Sequence, residues 1–229
     1  MRRPRRILPY GPAALLLEWE QRIATDINLG VHAYASAIRI LTGVAECIPG
    51  YASLLVRYRP TEISGYDLCE RLLDLPVRSA GEAAGYLHEL PVCYAHPFAP
   101  DLPGAARKLG LTDQELIAQH TETRYHVYLI GFRPGFAFMG EVPEAIRIAR
   151  RSSPRTRVPA GSVGIAGGQT GIYPEESPGG WQLIGRCPLP LLSVEGTTRL
   201  RAGDQVSFRA VSEEEYHHLS EFPSPWPAR

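Results

Sequence analysis

The chain has 229 residues, with 24 lysines and arginines against 24 aspartates and glutamates. A zero net charge gives no overall field to draw in nucleic acid or an anionic membrane, which argues against both as partners. Hydrophobic residues make up 44 %, enough for a sizeable core, and no run of about 18 apolar residues is present to span a bilayer, so the chain reads as a soluble protein of two compact domains.

The opening Met1–Arg6 is basic, but the apolar stretch behind it is broken by Pro9, Gly11 and Pro12. It reads as a short solvated arm rather than a targeting segment. Ala13 to Trp19 reads as a strand, and Ile23, Ile27, Val31, Tyr34, Ile38 and Leu41 recur at the spacing of one helix face. Val44 to Tyr58 reads as two extended pieces bent at Pro49-Gly50, and Leu68, Leu72 and Leu75 mark a second helix. Two helices on one face of a small antiparallel sheet, closed by a strand near Glu89 to Tyr94, would make a ferredoxin-like α+β domain over residues 1–92.

The stretch 95–110 is proline-rich and reads as a connection into a short helix. Thr112 and Glu115 have capping-box spacing, which starts a helix carrying Leu116, Ile117 and His120. From Arg124 to Phe208, short β-prone pieces alternate with glycine and proline turns, a pattern whose natural closure is a β-barrel. Ser212 and Glu215 repeat the capping-box spacing before a terminal helix. Residues 93–229 are therefore expected to form an all-β barrel domain with short helices.

Cys47, Cys69, Cys93 and Cys187 form no CxxC pair. That spacing favours neither a structural zinc site nor a disulfide scaffold, and a reducing cytoplasm fits best.

Val158 to Arg186 is dense in glycine and proline around Ser162, Gln169, Thr170, Tyr173 and Trp181. Such composition describes rigid turns whose backbone N–H groups can form concave nests for a carboxylate or phosphate, or tight links between barrel strands. Upstream, Arg150, Arg151, Arg155 and Arg157 lie within eight positions. Arginine suits planar oxyanions, although such runs also serve as solvated faces. His120 and His126 are candidates for acid–base work and equally for structural hydrogen bonding. Gly161-Ser162-Val163-Gly164 resembles part of a nucleophile elbow but lacks its first glycine, and no P-loop signature occurs.

In chain order, His120, the run Tyr128–Phe136 (YLIGFRPGF), Pro154-Arg155, Val158–Val163 (VPAGSV), Gly168–Pro174 (GQTGIYP) and Ser177–Arg186 (SPGGWQLIGR) closely resemble the allophanate hydrolase subunit 1 family. Ala13–Trp19, Ile48–Tyr58 and Gly203–Phe208 extend the resemblance over nearly the whole chain. The resemblance implies an N-terminal α+β domain followed by a cyclophilin-like barrel. It also implies the B subunit of an ATP-dependent 5-oxoprolinase, inactive alone. The 5-oxoprolinase A subunit and the cyclophilin-like C subunit would be its partners, with ATP and Mg used by the complex and neither held tightly by this chain. Metal ligation by this chain is not expected. A histidine-kinase inhibitor and a carboxyltransferase component acting on urea or a related amide are the alternatives it carries.

Under this resemblance His120 is the proton-transfer candidate. Gly161, Ser162, Gln169 and Thr170 would hold the substrate, Arg155 or Arg186 would balance charge, and Tyr173 with Trp181 would wall the pocket. The sequence departs from the family pattern at Pro12, at Ala95–Ala99, at Phe138-Met139 and at Cys187. The altered loop bears on substrate identity more than on fold.

Overall fold

The computed structural model describes residues 3–76, 85–222 and 226. The first two residues of the basic arm lie outside them. The chain divides into two compact units, Met1–Ala83 and Ala84–Arg229.

The first unit runs β1 (Arg6–Pro9), β2 (Ala14–Glu18), α1 (Thr25–Ile38), β3 (Val44–Pro49), β4 (Ser53–Tyr58) and α2 (Gly65–Leu73). Its antiparallel sheet has the order β1-β2-β4-β3. Leu15 pairs across with Val56 and Leu17 with Leu54. All four are buried with Ile27, Val31 and Ile38 of α1 and Leu68 and Leu72 of α2, so the alternate residues of two central strands meet the helical faces that the spacing marks. Asn28 is buried on α1, and its amide donates to the Gly50 and Tyr51 carbonyls at the β3–β4 turn. Ser64 caps α2 by accepting from the Asp67 N–H at 3.0 Å.

Two expectations change here. Behind the basic arm the chain forms β1, whose register with β2 runs from Arg6↔Glu18 to Pro9↔Leu15. This strand occupies the sheet edge beside β2, where a ferredoxin-like order would set the strand following α2. That later strand, β5 (Leu87–Cys93), pairs instead with two strands of the second unit. The division of the chain thus falls before β5 rather than after it. Leu90, Val92 and Cys93 are fully buried there, which is why the segment reads equally well as a closing strand for either unit.

The second unit continues with α3 (Leu102–Leu109), α4 (Asp113–Glu122), β6 (Tyr125–Ile130), β7 (Ala137–Gly140), β8 (Arg155–Val158), β9 (Ser162–Ala166), β10 (Gln169–Ile172), β11 (Ser177–Gly179), β12 (Gln182–Arg186), β13 (Gln205–Val211) and α5 (Glu213–Glu221). Seven strands close a barrel in the order β10-β7-β6-β13-β5-β12-β9, while β8 and β11 form a separate two-stranded sheet. β5 and β13 run parallel over seven paired residues, which makes the barrel mixed. Val163, Ile165, Ile172, Ile184, Val206 and Phe208 share one core with Leu102, Ala106 and Leu116 of the helices.

The Thr112 box forms in full: Thr112 accepts from the Glu115 N–H and the Glu115 carboxylate accepts from the Thr112 N–H. At Ser212 only half forms. Its hydroxyl accepts from the Glu215 N–H at 3.1 Å, but the Glu215 carboxylate accepts from Arg209. Among the described residues no helix is long and apolar enough to cross a membrane.

Candidate functional site

The residues singled out in the sequence fall at three places in the barrel unit. The first is its interior. His120 is fully buried on α4, with Nδ1 2.8 Å from the Tyr94 hydroxyl and Nε2 3.1 Å from Thr170 Oγ1. Its ring stacks on Phe208 at 4.6 Å. Burial pushes its pKa down to about 3, so it is neutral at ordinary pH. Both nitrogens are engaged by side chains and the residue has no exposed surface in this chain. The residue expected to transfer a proton thus links α4 to β10 through Thr170, which is itself fully buried. His126 is also buried and packs edge-on against Tyr128 at 4.9 Å.

The second place is the start of β9. Gly161 has φ +77°, and a Cβ there would run into the Cys187 carbonyl. Its N–H donates to the Tyr173 carbonyl and its C=O accepts from Cys187 N–H. Farther along, the Gly167 N–H donates to Ile148, and Gln169 to Ile172 pair with β9. The amides of these residues are taken up by barrel pairing rather than turned toward a ligand. Glycine is present because strands pass closely, which is the turn reading of the same composition. Ser162 and Arg186 are direct cross-strand partners. The Ser162 hydroxyl and Arg186 Nε are buried without a hydrogen-bond partner, and the Arg186 guanidinium lies 5.5 Å over the Phe98 ring. Phe98 belongs to the altered loop 95–99 and packs on Tyr216 of α5 at 4.3 Å. Gln169 stands at the opposite end of the β9–β10 hairpin, across from Ala166.

The third place is an aromatic pocket. Ile165 and Ile172 belong to the barrel core, whereas the next residues, Ala166 and Tyr173, belong to a second cluster with Phe136, Val158, Trp181 and Leu183. Strand alternation puts this cluster on the outer face. Phe136 is its hub, edge-on to Tyr173 at 5.2 Å and to Trp181 at 5.4 Å, and 4.8 Å from Phe138. These rings and Phe132 line a cavity of about 350 Å³ with Arg150 at its edge. Gly179 of β11 also lines it, and a Cβ there would collide with the Tyr173 hydroxyl. Burial raises the Tyr173 pKa, opposed by a hydrogen bond from the Trp181 backbone and by Arg150 and Arg155. The phenol therefore stays protonated at neutral pH. Tyr173 and Trp181 thus stand in one cavity wall with Phe132, Phe136 and Phe138. The signal for the added rings in the sequence is the clustering of three phenylalanines between Phe132 and Phe138.

The four arginines divide sharply. Asp101, buried at the start of α3, accepts from Arg155 at 2.6 Å, from Arg151 at 3.1 Å and from the Leu183 N–H at 2.7 Å. Arg157 is bidentate to Glu176 on the surface. Arg155 thus gives Nη2 to Asp101, while its Nη1 is buried with no hydrogen-bond partner among the described residues; the sequence reading misses Asp101 by treating its segment as a connection. Arg150 is exposed and has no ion pair among the described residues; its guanidinium lies 5.9 Å from the Trp181 ring centroid. Among the described residues no group of three or more His, Cys, Asp or Glu is placed to hold a metal.

Residues 5–199 match the family described as carboxyltransferase domain, subdomain C and D. The chain is 42 % identical to the 5-oxoprolinase B subunit of Bacillus subtilis (strain 168), over 92 % of this chain and 95 % of that one. It is 38 % identical to the 5-oxoprolinase B subunit of Escherichia coli O157:H7, over 86 % of this chain and 92 % of that one. Among solved structures, TTHA0988 superimposes with a TM-score of 0.77 at 35 % identity, over 94 % of this chain. This chain spans 41 % of the length of TTHA0988.

Proposed function

The chain belongs to the family of carboxyltransferase domains, subdomains C and D, and on that premise we propose that it is the B subunit of an ATP-dependent 5-oxoprolinase, opening 5-oxo-L-proline to L-glutamate together with the A and C subunits. The observation that carries this reading is the 42 % identity to a 5-oxoprolinase B subunit across 95 % of that relative's length. Both units of this chain thus have counterparts in a protein of that name.

Ring opening adds water across the lactam C–N bond, and a resonance-stabilised amide yields only when its carbonyl is activated and the developing charge is met by aligned donors. In this chain the residues around the aromatic pocket supply binding rather than proton transfer. Tyr173 stays protonated and Arg150 is a fixed cation, so neither is a base at neutral pH. We assign ATP, Mg and the reacting acid–base groups to the assembled complex, with this chain contributing a preshaped wall. Its cyclophilin-like classification remains part of the proposal, supported by the closed barrel. A cytoplasmic location is supported by four cysteines that are all free thiols.

The test is ATP-dependent glutamate release from 5-oxo-L-proline by this chain with candidate A and C subunits, leaving each out in turn. Loss of release whenever this chain is omitted is the expected result. Full release without it, from proteins shown to be folded and associated, would overturn the reading. The family description also supports a second reading, carboxyl transfer from a biotinylated carrier to urea or a related amide. That reading requires transfer of labelled carboxylate, which the first does not.

A further inference from the structure

We propose that the aromatic pocket on the outer face of the barrel binds a small, planar ring compound bearing one carboxylate, with Arg150 taking the carboxylate and the Phe132 and Phe138 rings packing against the ring above the buried Phe136, Tyr173 and Trp181. This inference rests on the 5-oxoprolinase reading, under which the compound is 5-oxo-L-proline.

Size is the first argument. At about 350 Å³ the cavity stands at the small end of ligand pockets, suited to a metabolite and too small for a nucleotide. Its shape is the second. Phe136 meets Tyr173 and Trp181 at 79° and 84°, so these three nearly buried rings brace one another as a rigid apolar floor on which a planar group can settle at little entropic cost.

Charge is the third argument. The pocket lining contains a single ionised side chain, Arg150, and no carboxylate. Its neighbours Arg151, Arg155 and Arg157 each have an acidic partner, whereas Arg150 has none among the described residues and lies over the Trp181 face. A guanidinium braced on an aromatic face keeps its planar donors available for a carboxylate. The protonated Tyr173 hydroxyl, with Arg150 and Arg155 near enough to affect its titration, adds a polar group beside the box.

The rim supplies a fourth observation. Phe132 takes φ +65°, a region unfavourable for a bulky residue, while its side chain is 59 % exposed. The turn is fixed by hydrogen bonds from Arg133 N–H to Gly131 and from Gly131 N–H to Phe136. Phe132 meets Phe136 edge-on at 5.5 Å yet leaves most of its surface in water at the mouth of the cavity; a bulky residue held at positive φ in such a place is the kind of outlier that marks ligand contact.

The experiment compares the assembled complex containing wild-type chain, Arg150→Gln or Phe132→Ser. Both side chains are exposed, and unchanged melting temperatures will verify folding. It measures kcat and KM for 5-oxo-L-proline, and calorimetric binding of 5-oxo-L-proline and of 2-pyrrolidone, which keeps the ring amide but lacks the carboxylate. The expected result is a KM and Kd for 5-oxo-L-proline at least about tenfold higher in Arg150→Gln, with kcat little changed and 2-pyrrolidone binding unaltered. Phe132→Ser should weaken both ligands. Unchanged KM and Kd in both variants, in a complex whose activity requires this chain, would overturn the pocket assignment and leave the oxoprolinase reading intact. Absent activity with saturable 5-oxo-L-proline binding that Arg150→Gln abolishes would support the pocket and overturn the oxoprolinase reading. Absence of both activity and binding would overturn both.

Discussion

Thr170 gives His120 a single protonation pattern. The threonine hydroxyl has one proton, which it donates to the Gly164 carbonyl at 3.0 Å, so at 3.1 Å it accepts from His120 Nε2–H. Nδ1 is then the acceptor for the Tyr94 hydroxyl at 2.8 Å. The neutral imidazole satisfies every member of this chain, and a protonated one would break its Tyr94 end.

A pH dependence follows. His120 titrates at about 3 in the folded chain and near 6.5 once unfolded, so between these values the unfolded state binds the extra proton. The stability contribution is complete above pH 6.5 and declines as pH falls toward 3. Urea unfolding at pH 6.5 and pH 5 should show wild type losing about 2 kcal/mol more than His120→Gln. Equal losses in the two proteins would contradict the assignment. Thr170→Val, which leaves the buried His120 Nε2–H unpaired, should cost about 1–3 kcal/mol at pH 7.

Asp101 is the joint between α3, β8 and β12. Asp101→Asn removes the charge that Arg151 and Arg155 share, and we expect destabilisation of about 2 kcal/mol, lower than for a fully buried pair because both arginines retain solvent contact. A double-mutant cycle with Arg155→Gln should return a coupling of about 1 kcal/mol or more. Additive losses would show that the 2.6 Å contact contributes nothing specific.

Two glycines separate stability from pocket shape. Gly161→Ala places a Cβ against a backbone carbonyl at positive φ, and thermal unfolding should report a loss of about 3 kcal/mol. Gly179→Ala meets the Tyr173 hydroxyl instead. It should displace that ring and raise KM in the reconstituted complex by several-fold, with a smaller loss of stability than Gly161→Ala.

Thiol reactivity should single out one cysteine. Burial pushes Cys47 up to about 11 and Cys187 up to about 12, and raises Cys93 as well, so none of the three is a useful nucleophile at pH 8. Cys69 is half-buried. Titration of the native chain with a thiol reagent at pH 8 should give one fast equivalent, abolished by Cys69→Ser, with the others appearing only on unfolding.

Periodicity makes the helices of the first unit legible because Ile27, Val31, Ile38, Leu68 and Leu72, marked by spacing, are core residues in the structure; the continuous apolar runs Leu15–Leu17 and Leu54–Val56 show strands without showing which residues face the core. Periodicity misplaces β5, since a strand buried as completely as Leu90–Cys93 has no alternation to say which sheet it joins. The wall residues Tyr173 and Trp181 stand out through their turn-rich surroundings. Composition cannot tell an amide paired in a ladder from one left open, and the Asp101 partner of Arg155 is illegible because it lies 54 positions away. His120 looks chemical in one dimension; only its depth and its two occupied nitrogens reveal a brace.

The parallel pairing of β5 with β13 sets a requirement on synthesis. The hydrogen bond from Tyr86 N–H to Asp204 that leads into this pairing spans 118 positions, so β5 emerges from the ribosome long before its neighbour exists. Until then its free edge offers an apolar strand to any other chain. The family match ends at residue 199, ahead of β13. A protein truncated at that boundary would retain every motif of the pocket yet leave the barrel open between β5 and β6, and self-association through those two edges is the failure to look for.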